Sequence, residues 1–228
     1  MSAPAITKEV IQFLDRLKKN NNREWFAAHK KEFKSIESDV KQFYGQLMDE
    51  LNTHDEIEKL KMFRIYRDVR FSKDKSPYQH HFAGSFSRSG ARLRGGYYLR
   101  IRPGGESFMA CGFWQPEKED LYRIRKELEL DAAEFKSVIN EKKFKNAWGE
   151  LQGEELKTAP KGFDREHENI DLLRKKGYIF THEFSDKEVV SPSFFTEVSE
   201  RFQVIRPFFD LMSDILTTNL NGESLLGK

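Results

Sequence analysis

An α+β fold, with a mostly antiparallel sheet and long helices packed against it, follows from three observations on this 228-residue chain. Apolar residues recur every three or four positions towards both ends, they alternate with period two in the middle, and the alternating runs are joined by turns too short for crossover helices. No repeat of 20 to 50 residues and no Pro/Ser-rich linker divides the chain, so residues 1–228 read as a single domain. A hydrophobic share of 38% that includes 20 Phe supplies a sizeable core and excludes disorder throughout. With 14 Gly, 7 Pro and the single Cys111, collagen-like and disulfide-framework proteins are excluded as well. No apolar run approaches a membrane span and no signal-peptide pattern opens the sequence. The expectation is a cytoplasmic protein without a membrane partner.

Taken in order, Thr7 is placed to cap a helix carrying Val10, Ile11, Phe13, Leu14 and Leu17, which Asn20, Asn21 and Asn22 break. Residues 23–51 then read as one long amphipathic helix, with Phe26, Phe33, Ile36, Val40, Phe43, Leu47 and Leu51 forming its stripe and Trp25 and His29 one turn apart near its start. In 62–71 the period becomes two. Phe63, Ile65, Val69 and Phe71 lie on one side and Arg64, Tyr66, Asp68 and Arg70 on the other, which predicts a half-buried strand in which Arg67 is the misfit. Further strands are expected over 79–87, 97–102 and 107–113, separated by an Arg/Gly-rich loop at 88–96 and a Pro103-Gly104-Gly105 turn. Helical spacing resumes after Pro116 with Leu121, Ile124, Arg125 and Leu128, and Asp131 with Glu134 offers a capping box for the stripe that reaches Phe144 and Trp148. Residues 158–164 form a loop, 170–176 a short helix ended by Gly177, 178–184 a strand, and 193–220 a last helix kinked at Pro207.

Charge is distributed unevenly along the chain. Residues 61–102 hold 11 Lys+Arg against two Asp+Glu, a net of +9, whereas the segments before and after are net acidic. Such a local field suits an anionic partner. Its densest part is FRIYRDVRFSKDKSPY, 63–78, where five cations fall between Arg64 and Ser76. Guanidinium and ammonium groups held on a rigid element are what recognition of phosphate or carboxylate requires. The expected ligand site comprises Arg64, Arg67, Asp68, Arg70, Ser72, Lys73, Lys75, Tyr78, Trp114 and Arg125. Arg67 and Arg70 would clamp the anion, Lys73 and Lys75 attract it, Asp68 orient the arginines, and Tyr78 or Trp114 stack on an attached ring. The competing reading is an internal ion-pair ladder. A third places single-stranded nucleic acid on Arg88, Arg92 and Arg94 beside Tyr97 and Tyr98.

Sequence signatures of known chemistry are absent. The chain has no phosphate-binding G-x-x-x-x-G-K-[ST], no dinucleotide-binding G-x-G-x-x-G and no G-x-S-x-G nucleophile elbow, so no cofactor is assigned. His29, His54, His80, His81, His167 and His182 are dispersed, and no metal site is expected from them. Cys111 lies in an apolar strand and reads as a buried thiol. Were the protein an enzyme acting on a phosphorylated substrate, Asp68 or Asp74 would be its base, with a basicity depressed by neighbouring arginines.

The runs LKKNNNREWFAAHKKEF, FRIYRDVRFSKDKSPY, GGYYLRIRPGG with GFWQPE, and APKGFDREHENIDLLRKKGY together resemble the domain of unknown function 2461 family, from about Phe13 to Pro207. The resemblance implies a single α+β domain of bacterial and fungal proteins and carries no established activity. It picks out Asn22, Arg23, Trp25, Phe26, Arg64, Arg67, Asp68, Arg70, Phe71, Ser72, Lys73, Asp74, Lys75, Pro77, Tyr78, Tyr98, Trp114, Lys161, Gly162 and Phe163. Gln79 departs from the pattern, where a lysine is expected. Three function classes remain open: a protein for a phosphorylated small molecule or other anion, a nucleic-acid binding module, and an interaction or structural domain whose charges are paired internally.

Overall fold

A computed structural model of the protein describes residues 4–226. Five strands, β1 (Ile57–Met62), β2 (Phe82–Arg88), β3 (Gly96–Ile101), β4 (Ser107–Phe113) and β5 (Tyr178–Phe184), form one antiparallel sheet whose spatial order is the sequence order. Helices α1 (Lys8–Lys19), α2 (Arg23–Ala28) and α3 (Lys30–Leu51) precede it; α4 (Lys118–Leu130), α5 (Ala133–Asn140), α6 (Lys142–Trp148) and α7 (Ile170–Leu173) separate β4 from β5; α8 (Asp186–Val189), α9 (Phe194–Val204) and α10 (Arg206–Thr217) come last. The fold is α+β. The alternation read in the sequence sets the sheet's faces: Tyr97, Leu99 and Ile101 of β3 and Ser107, Met109, Cys111 and Phe113 of β4 are buried, whereas Tyr98, Arg100, Phe108 and Ala110 are half-exposed.

The chain divides into two compact units. The first comprises residues 1–86, 98–109 and 183–200. Its core sets Phe13, Phe33, Val40, Phe43 and Tyr44 of α1 and α3 against Phe82, Phe86, Leu99, Phe184 and Phe194. The buried Tyr44 hydroxyl donates to Leu99 O at 2.9 Å, which satisfies a polar group that burial would otherwise penalise. The second unit comprises 87–97, 110–182 and 201–228. There Phe208 makes ring contacts with Phe113, Phe135, Phe144, Phe180 and Phe209.

Four elements differ from the sequence expectation. The helix over 23–51 is two: at His29 the backbone turns to φ −105°, ψ 12°, and the imidazole Nδ1 engages Trp25 O at 2.8 Å while its ring stacks on Trp25 at 3.9 Å. Over 193–220, Pro207 sits in the first turn of α10, where its missing N–H leaves no bond unmade, so it starts a new helix after α9 instead of kinking one. Asp131 accepts from Ala133 N at 2.7 Å, a local turn, whereas Ser185 and Glu188 form a capping box at α8. Finally, residues 62–71 are not a strand. β1 ends at Met62, and the chain beyond it is a loop built on its own hydrogen bonds.

Candidate functional site

The 64–78 loop closes on itself. Tyr66 and Tyr78 form an isolated antiparallel bridge, Arg67 N donates to Pro77 O at 2.9 Å and Gln79 N to Ile65 O at 2.6 Å. Asn21 clamps the returning arm with both ends of its amide, accepting from Tyr78 N at 3.1 Å and donating to Tyr78 O at 2.9 Å. Within the loop the two carboxylates make Asx-type turns: Asp68 accepts from Arg70 N at 3.2 Å and Asp74 from Ser76 N at 2.9 Å. Those turns are why a pattern that alternates like a strand does not form one.

The cations divide by role. Arg67, with a side chain only 20% exposed, pairs with Asp74 and donates to Ser76 O at 3.0 Å and Ser72 Oγ at 3.4 Å, so it organises the loop from within. Arg70 bonds Asp68 through Nε at 3.0 Å and Nη2 at 2.7 Å, at the surface. The Lys75 ammonium donates to Val69 O at 3.0 Å and Arg70 O at 3.4 Å, bonds to neutral carbonyls that leave its charge uncancelled. Arg64 and Lys73 are exposed. Phe71, at 97% exposure, stands at the tip with the Arg70 guanidinium 5.9 Å from its ring centre.

Hydrogen bonds from Arg70 hold the Asp68 carboxyl below its ordinary range, and those from Ser76 and then Arg67 bring Asp74 down to about 2. A carboxylate so stabilised accepts a proton poorly near neutral pH. Tyr78, expected to stack on a ligand ring, is buried, and its ring already lies on Phe26 at 4.0 Å. That face is taken. Cys111 is buried too, which pushes its thiol well above the usual range. Among the described residues no three His, Cys, Asp or Glu side chains converge as metal ligands would.

Two expected site residues belong to the second unit. Trp114 is 68% exposed and lines, with Gln115, Gly153, Glu154, Lys176, Gly177 and Ile179, a cavity of about 370 Å³. Gln115 adopts φ 49° beside it, and Gly153 (φ 127°) lies so near the main chain that a Cβ would sit 2.3 Å from Gly177 O. Half-buried Arg125 donates to Lys175 O at 2.8 Å, and desolvation lowers its pKa. In the same unit the 88–96 loop does not present Arg88, Arg92 and Arg94 together as a nucleic-acid reading of it needs. The Arg88 side chain is fully buried and bonds Asp210 at 3.0 Å, Ser213 Oγ at 3.3 Å and Arg94 O at 3.0 Å; Arg94 pairs with Asp120; Arg92 alone of the three is exposed.

What sequence reasoning missed was Asn21, read as part of a helix-breaking run, and the exposure of Phe71, assigned to an apolar face. A signal existed for Arg67. It was the misfit of the strand pattern.

Residues 9–211 match a family described as Conserved hypothetical protein (DUF2461). The chain belongs to this family. The match covers α1 to α10 almost entirely and includes the whole 64–78 loop, so the loop is part of the family domain and not an appendage. No curated protein and no solved structure matches the chain.

Proposed function

We propose that this is a cytoplasmic binding protein whose 64–78 loop receives a phosphate-bearing or other anionic ligand, with Arg64, Arg70, Lys73 and Lys75 as the receiving cations. The observation that carries the reading is the division of labour in the loop: Arg67 and Asp74 fix its shape, Asp68 holds Arg70, and among the described residues the charges of Arg64, Lys73 and Lys75 are matched by no carboxylate hydrogen bond. A preorganised cationic loop avoids the ordering entropy that a floppy one would lose on binding. No membrane-crossing part is needed, since no described helix is long and apolar enough to span a bilayer. The single, buried Cys111 suits a reducing compartment.

Calorimetric titration with inorganic phosphate, sugar phosphates and nucleotides tests the proposal. One of these classes should bind the native chain, and Arg64→Ala with Lys73→Ala should abolish the heat signal while leaving the fold intact. Equal binding by the double variant would move the site elsewhere, and no binding by any class would leave the cations as a solubilising surface.

A further inference from the structure

The half-exposed face of the sheet in the first unit carries a line of rings edged by cations that the loop does not explain. Phe63, just after β1 and 44% exposed, meets Tyr98 of β3 at 6.1 Å between ring centres, and Tyr98 meets Phe108 of β4 at 5.4 Å. At one end the Lys61 ammonium lies 5.4 Å from the Phe63 centre; at the other the Arg100 guanidinium lies 4.2 Å from that of Phe108. Arg100 directs its hydrogen bonds to a main-chain carbonyl, Glu106 O, at 2.9 and 3.2 Å, and the Glu106 and Glu183 carboxylates act on it only through space. The guanidinium is therefore cancelled by no carboxylate hydrogen bond among the described residues. A protein filling such a face for packing alone would place aliphatic groups there and cover them, whereas half-exposed rings in a row across the sheet and flanked by cations match stacked bases and their phosphates.

We infer that this face, Lys61, Phe63, Tyr98, Arg100 and Phe108, binds single-stranded nucleic acid by stacking two or three bases across β1, β3 and β4. The surface is distinct from the Arg88, Arg92 and Arg94 loop, and the inference goes beyond the anion-binding loop without depending on it. Base–aromatic stacking is sequence-tolerant, so the face discriminates single strand from duplex more than one base from another.

The test measures fluorescence anisotropy of labelled oligo(dT) and oligo(U), each about twelve nucleotides long, within the span a single such site covers. An abasic strand of equal phosphate number and a duplex of equal length serve as comparisons. The native chain should bind the single strands at least about tenfold more tightly than either comparison. Phe63→Ala, at a half-exposed position that leaves the core intact, should weaken binding by about 5- to 150-fold, the effect of one stacked base. Lys61→Ala should flatten the log–log salt dependence by about 0.7. Equal affinity for the abasic strand, displacement by polyglutamate as effective as by oligonucleotide, an unchanged affinity in Phe63→Ala, or no measurable binding would each overturn the inference. The loop reading is separable: Arg64→Ala with Lys73→Ala removes phosphate binding but leaves the effect of Phe63→Ala in place.

Discussion

Two basic loops of this chain look alike in sequence and differ in structure. RDVRFSKDK and RSGARLRGG each place three or more cations within nine residues. In the second, Arg88 is buried against Asp210 and Ser213 and its guanidinium lies 5.3 Å from the Phe209 ring centre, while Arg94 is held by Asp120: acids from distant parts of the chain neutralise the arginines. In the first, the acids are local, Asp68 and Asp74, and they shape turns as much as they neutralise charge. The difference teaches that local charge density does not identify a ligand site; what matters is whether the partner acids arrive from elsewhere in the fold. Arg88 and Arg94 are structural through distant acids and Arg67 through its own loop, whereas the exposed Arg64, Lys73 and Lys75 are held by no carboxylate among the described residues.

That contrast is broken most severely at Arg88. Arg88→Ala should cost about 3 kcal/mol, through the cavity it opens and the hydrogen bonds it removes from Ser213 and Arg94 O. For a domain of this size the melting temperature should fall by roughly 6 to 12 °C. If it falls by no more than it does for Arg92→Ala, the structural reading of this loop is wrong.

Burial, reinforced by nearby cations, acts on His81. Burial first, and then Arg100, Arg102 and His80, lower its pKa to about 4. The unfolded chain protonates it near 6.5, so between those values the unfolded state binds more protons and stability rises with pH. The contribution is complete above pH 6.5 and is lost as pH falls towards 4, by about 2 kcal/mol after allowance for solvent screening. The dependence of melting temperature on pH across this window should flatten in His81→Gln; an unchanged slope would show that the folded state does not hold the imidazole neutral.

Smaller still is the effect of loosening the first loop from within. Arg67→Ala should cost about 1 to 2 kcal/mol by denaturant titration, through the lost bonds to Ser76 O and Asp74, and should expose the loop to trypsin. Arg64→Ala and Lys73→Ala should each change stability by less than about 0.5 kcal/mol, as exposed substitutions do.

The sheet and most helices were legible because burial enforces periodicity and turn residues mark the ends: β4 and β5 occupy the expected ranges, 107–113 after the Pro103-Gly104-Gly105 turn and 178–184 after Gly177. Residues 62–71 misled because their alternation is genuine while the backbone obeys Asp68 and Asp74, whose side chains compete with the ladder for N–H groups. The split at His29 was hidden for a related reason, since a ring stacking on Trp25 leaves no mark on a hydrophobic pattern. Of the site, the cation-rich segment was visible in composition. Which of its cations face inward was not, because Arg67 finds Ser76 and Asp74 only once the loop has closed, and Arg88 finds Asp210 across 122 residues.

The most direct test of the central claim compares the two loops in one thermal-shift series. An anion present at about 100 times its dissociation constant stabilises the native state by about 2.7 kcal/mol, a rise of roughly 5 to 11 °C here. Inorganic phosphate or a phosphate ester should raise the melting temperature of the native chain and of Arg92→Ala by that amount, and should leave Arg64→Ala with Lys73→Ala unmoved from an otherwise native melting point. A full response in the Arg64/Lys73 variant, or its loss in Arg92→Ala, would contradict the assignment of ligand binding to the 64–78 loop.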